Sequence, residues 1–140
     1  GKIPKKVKAN SIDKSLNDEI INDLKELINL MDNQDLNNYI KKVVNYSFNA
    51  NKYFNDNEPW SLKKSDPERM GDIVSCITKQ ILNITLLLSP IIPKTSEVVL
   101  DTLNIKTEDR YIDSIKKDIL NYDLPIKKNK ILFKKVDDDN

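Results

Sequence analysis

The sequence predicts an all-α fold, an antiparallel helical bundle of four to five helices with an extended C-terminal tail. Three observations predict it. Apolar residues recur at three- and four-residue steps through most of the chain. No stretch alternates like a half-buried strand, except Lys130 to Val136. The breaks between periodic stretches are short, which makes successive helices antiparallel neighbours. At 140 residues, with 39% hydrophobic and 32% charged residues, the chain suits one domain with a real core. The layout expected is a linker over 1–12 from an upstream region, a bundle over 13–122 and a tail over 123–140.

The first helix is expected from about Asp13 to Met31. Leu16, Ile20, Leu24, Leu27, Ile28 and Met31 share one face, Asp13 serves as N-cap, and Asp32-Asn33-Gln34-Asp35 breaks the pattern. The second runs from about Asp35 to Phe54, with a broad apolar face from Leu36, Tyr39, Ile40, Val43, Val44, Phe48, Ala50, Tyr53 and Phe54. Asn55 to Pro59 ends it, because proline cannot continue a helix. The third has two possible starts: a capping box of Ser65 with Glu68, or Asp66 as cap with Pro67 in the first turn. Met70, Ile73, Ile77, Ile81, Ile84 and Leu88 follow at helical spacing. From Ile81 on nearly every side is apolar, so this helix is expected to be the central one. Pro93 opens a fourth helix with Val98, Val99, Leu100 and Leu103 inward, and a weaker fifth covers about Thr107 to Asn121. The tail carries Ile131-Leu132-Phe133 between lysines and ends in acidic residues.

Composition excludes much chemistry. There is no histidine and a single cysteine, Cys76, so Ser-His and Cys-His nucleophiles, disulfides and ordinary zinc sites are out. Glycine occurs only at Gly1 and Gly71, too few for a phosphate-cradling loop. The longest apolar run, Ile81 to Leu88, is far short of the roughly 20 residues of a membrane span, and no secretory signal opens the chain. A lone thiol suits the cytoplasm. Arginine appears only at Arg69 and Arg110 in a chain rich in lysine, asparagine and isoleucine, a bias of AT-rich coding. Cys76 lies on the apolar helix and reads as a small buried hydrophobe. The acidic pair Asp18 and Glu19 faces outward with no partner for catalysis. Net charge is +1, so no global basic field marks a strong nucleic-acid binder. The lysine-rich ends, Lys2 to Lys8 and Lys127 to Lys135, read as solvated surface. Trp60, the single tryptophan, reads from the residues alone as a plug packed under its loop.

From Ala50 the chain runs Ala50-Asn51-Lys52-Tyr53-Phe54-Asn55-Asp56-Asn57-Glu58-Pro59-Trp60-Ser61-Leu62-Lys63-Lys64. This resembles the anticodon-binding helical domain of methionyl-tRNA synthetase: Ala-Asn-x-Tyr, a short acidic stretch, Pro-Trp, then a lysine. Leu86-Leu87-Leu88-Ser89-Pro90-Ile91-Ile92-Pro93 resembles the same family's Leu-Leu-x-Pro-x-x-Pro element. Leu103 falls where its next helix ends, and Leu132-Phe133 resembles its Leu-Phe tail. The matches span Ala50 to Phe133, and residues 1–49 match only in helical character. Related class I synthetases for other aliphatic amino acids carry a similar domain, but the order and spacing of the elements favour the methionine enzyme.

The resemblance implies a parent enzyme that attaches methionine to tRNA(Met) with ATP. In these 140 residues it implies recognition without catalysis, cofactor or metal. ATP and methionine would bind the catalytic domain of the same parent, which is one expected partner. The anticodon loop of tRNA(Met) is the other. The resemblance reverses the bare reading of Trp60, which becomes a ring stacking on an anticodon base, with Pro59 fixing its direction. Lys63 and Lys64 are placed near phosphates, and Asn51 and Tyr53 support the loop through capping and packing. Stacking suits a ring on a short, stiff loop, because every base has an apolar face. The family also reads the anticodon through an Asn and an Arg on a preceding helix, and this chain has no such pair. The expectation is that the chain is a piece beginning after that helix, as its opening Gly1-Lys2-Ile3-Pro4 also suggests. The family's catalytic signature motifs are absent, and Asn55 stands where many members have aspartate. Two alternatives remain: the same domain of another class I synthetase, or a helical protein-interaction module with an apolar groove.

Overall fold

A computed structural model describes residues 10–120. The linker residues 1–9, the tail, its strand-like stretch at Lys130 to Val136 and both lysine-rich ends lie outside the described residues. Among the described residues four α-helices form: α1 (Ser11–Asp32), α2 (Leu36–Asn57), α3 (Pro67–Leu88) and α4 (Pro93–Thr102).

The start of α1 differs from expectation. Asn10, not Asp13, is the N-cap, and its side chain accepts from the Asp13 N–H at 2.9 Å. Asp13 occupies the third helical position and completes a capping box by accepting from the Asn10 N–H. Helix α1 ends in a Schellman arrangement. Gln34 is left-handed at φ 59°, the Gln34 N–H reaches Met31 O at 3.0 Å, and the Asp35 N–H reaches Leu30 O at 2.9 Å. The same device closes α4, with Asn104 left-handed and the Ile105 N–H on Leu100 O at 3.0 Å. Asp66 caps α3 through the Arg69 N–H at 3.1 Å, with Pro67 in the first turn, so the second of the two possible starts is the one used.

Of the weaker fifth segment, about Thr107 to Asn121, the described residues form no α-helix, which leaves four of the expected four to five. Thr107–Asp109 and Ile112–Lys116 form two 3₁₀ turns instead. Arg110 explains the irregular path. Its guanidinium donates to Ile105 O from Nε at 3.0 Å and from Nη2 at 2.7 Å, and Nη2 also meets Asp101 Oδ1. That clamp folds the chain back over the end of α4.

Contacts at the helix ends set the topology. Tyr39 at the start of α2 donates to Leu87 O at the end of α3, while Tyr53 near the end of α2 meets Asp13 at the start of α1. Arg69, at the start of α3, meets the same Asp13. So α2 is antiparallel to both neighbours, and α1 and α3 run the same way. The core joins Ile20, Leu24 and Leu27 of α1 to Tyr39, Val43 and Tyr46 of α2 and Leu82, Leu86 and Leu87 of α3. Leu100, Leu103, Ile105, Ile115 and Leu120 close it from the C-terminal side. A second, smaller cluster of Leu16, Tyr53, Ile73 and Cys76, with Leu62 and Ile77 against it, lies at the α1-start end.

Two apolar faces are narrower than the sequence suggests. On α2, Tyr39, Val43, Tyr46, Ala50 and Tyr53 are buried, but Leu36, Ile40, Val44 and Phe48 form an exposed row at four-residue steps, with Phe48 67% exposed. On α3, Ile81 is 45% exposed and the buried side includes Gln80 and Asn83. Helix α3 still contributes more buried residues than any other helix and touches α1, α2 and α4, as a central helix must. Its length and mean hydropathy of 1.3 would allow a membrane span, but most of its apolar stretch is buried inside the bundle beside polar Asp72, Gln80 and Asn83.

A candidate nucleic-acid interface at the Trp60 turn

Helix α2 stops because Pro59 has no N–H to continue it. Glu58 turns the chain in the left-handed region, at φ 42° and ψ 58°, which costs a non-glycine residue about 1–2 kcal/mol. Pro59–Leu62 then form a 3₁₀ turn. The Ser61 N–H and Oγ both donate to Glu58 O, at 2.9 and 2.7 Å, so the turn is tied internally. The Asp66 N–H donates to Leu62 O at 2.9 Å and leads directly into α3. Pro59 is buried and Leu62 packs on the smaller apolar cluster, which roots the turn on both sides of Trp60.

Trp60 itself is 55% exposed and is not a plug under its loop. Its ring leans on Phe54 with centroids 5.5 Å apart and planes tilted by 53°, leaving the rest of the indole to solvent. Phe54 is a site residue that the sequence reading treated only as part of the α2 face. The six-residue gap across a helix end carries no periodic signal linking the two rings. Beside Phe54 opens a mostly apolar groove of about 450 Å³ between α2 and α3, lined by Ser47, Ala50, Asn51, Ile77, Ile81, Ile84 and Thr85.

The other sequence-selected residues divide. Lys63 and Lys64 are exposed immediately after the Trp60 turn, and among the described residues neither joins an ion pair. Asn51 is exposed on the groove wall. Tyr53 points the other way and is buried, with its hydroxyl donating to the Asp13 carboxylate. Burial, then that hydrogen bond, pushes the Tyr53 phenol far above its ordinary value, so it stays a neutral donor. Acidic Asp56 is paired with Lys52 at 2.6 Å, and Glu58 is exposed, so the surface around the ring carries both signs. Among the described residues no group of three metal-ligating side chains converges. An exposed, propped aromatic ring with lysines one step further along the chain can stack on a planar ring and meet nearby anionic oxygens.

Beneath the turn lies a group the sequence reading missed. Asp13 is completely buried and accepts from Arg69 Nη1 at 2.6 Å, from Arg69 Nη2 at 2.9 Å and from Tyr53. Burial pushes its carboxyl up, but the Arg69 and Tyr53 hydrogen bonds and the Arg69 charge outweigh it and leave the pKa below 3.8. The Arg69 guanidinium is raised in turn, first by its hydrogen bonds to Asp13. The signal available was the scarcity of arginine. In a lysine-rich chain both arginines are two-pronged clamps, a geometry lysine cannot supply.

Residues 3–140 match the family model described as the anticodon binding domain of methionyl tRNA ligase. A methionine–tRNA ligase of Rickettsia felis is 32% identical over 89 residues, 64% of this chain and 17% of that protein. One of Pyrococcus abyssi is 29% identical over 99% of this chain and 19% of that protein, and one of Brucella suis 30% identical over 79% and 21%. The chain thus spans about a fifth of the length of these relatives. A crystal structure of Mycobacterium tuberculosis methionyl-tRNA synthetase in its free state superposes with a TM-score of 0.84, at 21% identity, covering 92% of this chain and 27% of that one. At that identity the likeness is one of fold.

Proposed function

This chain belongs to the family of the anticodon-binding domain of methionyl tRNA ligase, and on that premise we propose that its Trp60 turn binds the anticodon loop of tRNA(Met) for a parent methionine–tRNA ligase. The observation that carries the reading is the exposure of Trp60 on a short, internally bonded turn at the Pro-Trp position. Trp60 stacks on an anticodon base, and Phe54 props its ring from behind. Pro59 sets the direction of the turn, and Lys63 and Lys64, just downstream of it, meet backbone phosphates near the stacked base. Tyr53 supports the turn from below, and Asn51 borders it on the groove side. The ligase chemistry, with its ATP and methionine, belongs to a catalytic domain of the same parent, and both act in the cytoplasm. Anticodon reading here selects the tRNA at a distance from the reacting groups. The family match favours this reading over a general helix-docking module.

Trp60 is also the probe, since it is the single tryptophan. A methionine-tRNA anticodon stem-loop titrated into the purified chain should quench the indole emission, and a loop with a changed anticodon should quench it far less. Trp60→Ala should weaken binding by about 1–3 kcal/mol, roughly 5- to 150-fold, in a label-based assay. Equal response to both loops would remove the methionine assignment. No response up to millimolar RNA would remove the stacking role.

A further inference from the structure

The segment that presents Trp60 is held at both flanks by one side chain from a different helix. On the upstream flank, Tyr53 Oη donates to Asp13 Oδ1. On the downstream flank, Arg69 Nη1 and Nη2 grip Asp13 Oδ2 and Oδ1 at 2.6 and 2.9 Å. Asp13 lies 40 and 56 residues from these partners in sequence. Its carboxylate also accepts from the Asn10 N–H, which fixes it to the first turn of α1. The Cys76 Sγ lies 3.6 Å from Asp13 O, and Asn17 Nδ2 donates to Cys76 O at 3.1 Å, so α3 is registered against α1 at the same place.

By contrast, the turn has few polar ties to the rest of the bundle. The Ser61 bonds to Glu58 O and the Asp66 bond to Leu62 O stay within the segment. Among the described residues the Trp60 indole N–H has no hydrogen-bond partner, and its ring contact is Phe54, itself part of the same segment. Apolar anchoring by Pro59 and Leu62 resists lifting of the turn but tolerates sliding, because apolar packing is not directional. A two-pronged guanidinium–carboxylate pair is directional, and a phenol on the same carboxylate adds a third fixed vector.

Resting on the anticodon reading above, we propose that Asp13 is the positioning residue for Trp60: by holding Tyr53 and Arg69 on one carboxylate it fixes the gap between the end of α2 and the start of α3 that the turn bridges. Asp13 touches no RNA. It acts by removing conformations of the turn in which the ring is misdirected, so the ordering is complete before the base arrives. A buried ion pair adds little net stability compared with apolar packing, which fits a role in geometry.

The test uses the full chain and two mild variants. Tyr53→Phe deletes the upstream tie and keeps the Asp13–Arg69 pair; Arg69→Lys keeps the charge and loses the two-pronged grip. Far-UV circular dichroism at low temperature checks that each remains helical. Time-resolved fluorescence anisotropy then reads the local motion of Trp60 without RNA. The expected result is a larger fast component in both variants, and an anticodon stem-loop affinity lowered by about 2- to 12-fold although no RNA-facing group has changed. In an Asp13→Asn background, Tyr53→Phe should add no further motion, because the shared anchor is already gone. Unchanged Trp60 anisotropy in both folded single variants overturns the proposal. If Asp13→Asn does not fold, the two single variants decide alone. If the unaltered chain ignores RNA, the anticodon reading fails while the anisotropy comparison still decides whether Asp13 positions the ring.

Discussion

A buried carboxylate normally seeks a proton, yet Asp13 holds its charge because two nitrogens of Arg69 and the Tyr53 hydroxyl replace the water it lost. Its folded pKa lies below the ordinary 3.8, so its contribution to stability is fully present above pH 3.8 and falls away as the pH drops through the lowered folded value. The groups facing it do not titrate there: Arg69 and Tyr53 are both pushed upward. Thermal midpoints measured from pH 7 to pH 2.5 should therefore show an acid-side loss that Asp13→Asn or Asp13→Ala lacks in part. Equal acid slopes in the unaltered and substituted chains would contradict it. At this scale the sequence was informative about residue type and poor on partners. Asp13 read as a helix cap from its neighbours, and it does take part in one, but its main partners lie far along the chain. The exposure of Trp60 was legible only through the Pro-Trp resemblance, because composition alone favours burying a large ring.

Helix α3 shows what periodicity can and cannot resolve. The helix and its two possible starts followed from local chemistry, since a cap and a proline act on their own turn, and the structure uses the Asp66–Pro67 one. Which side faces inward did not follow, because a helix apolar nearly all round has no marked face. The structure turns Ile81 outward and buries Gln80 and Asn83. Both Gln80 amide atoms and Asn83 Nδ2 have no hydrogen-bond partner among the described residues. Gln80→Met, similar in shape and free of the polar cost, should raise stability by about 1–3 kcal/mol in urea unfolding. A loss of stability instead would mean that Gln80 is satisfied by bound water. The same limit applies to α2, whose apolar residues form two rows of which one meets α1 and α3. In the stretch after α4, propensity alone suggested a helix, and the Arg110 side chain bonding to a backbone carbonyl set a different path.

Over the whole molecule, the up-down-up course of the first three helices brings the start of α1, the end of α2 and the start of α3 to one end of the bundle. The Trp60 turn is at that end, and in a chain of net charge +1 the exposed Lys63 and Lys64 are the cations that follow it directly.

 The proposed contact therefore neutralises about two phosphates, and log Kobs should fall against log salt with a slope of about −1.4, at 0.7 per phosphate for single-stranded RNA. A stem-loop titration between about 50 and 200 mM salt checks it. A slope several times steeper would place the RNA on a larger basic surface than the Trp60 turn offers. Topology was the most legible level of all, since four periodic stretches with short breaks leave few arrangements other than an antiparallel bundle.

The position of Cys76 gives this end of the bundle a clock. The chain's single thiol is completely buried, directly below Asp13 and within the small cluster on which the turn is rooted. A thiol-reactive dye cannot reach it until that end opens, so the pace of labelling under native conditions counts the openings of this one region and ignores fraying elsewhere. A chemical reporter thus already sits under the Trp60 turn, where adding one by mutation would disturb the packing it was meant to observe.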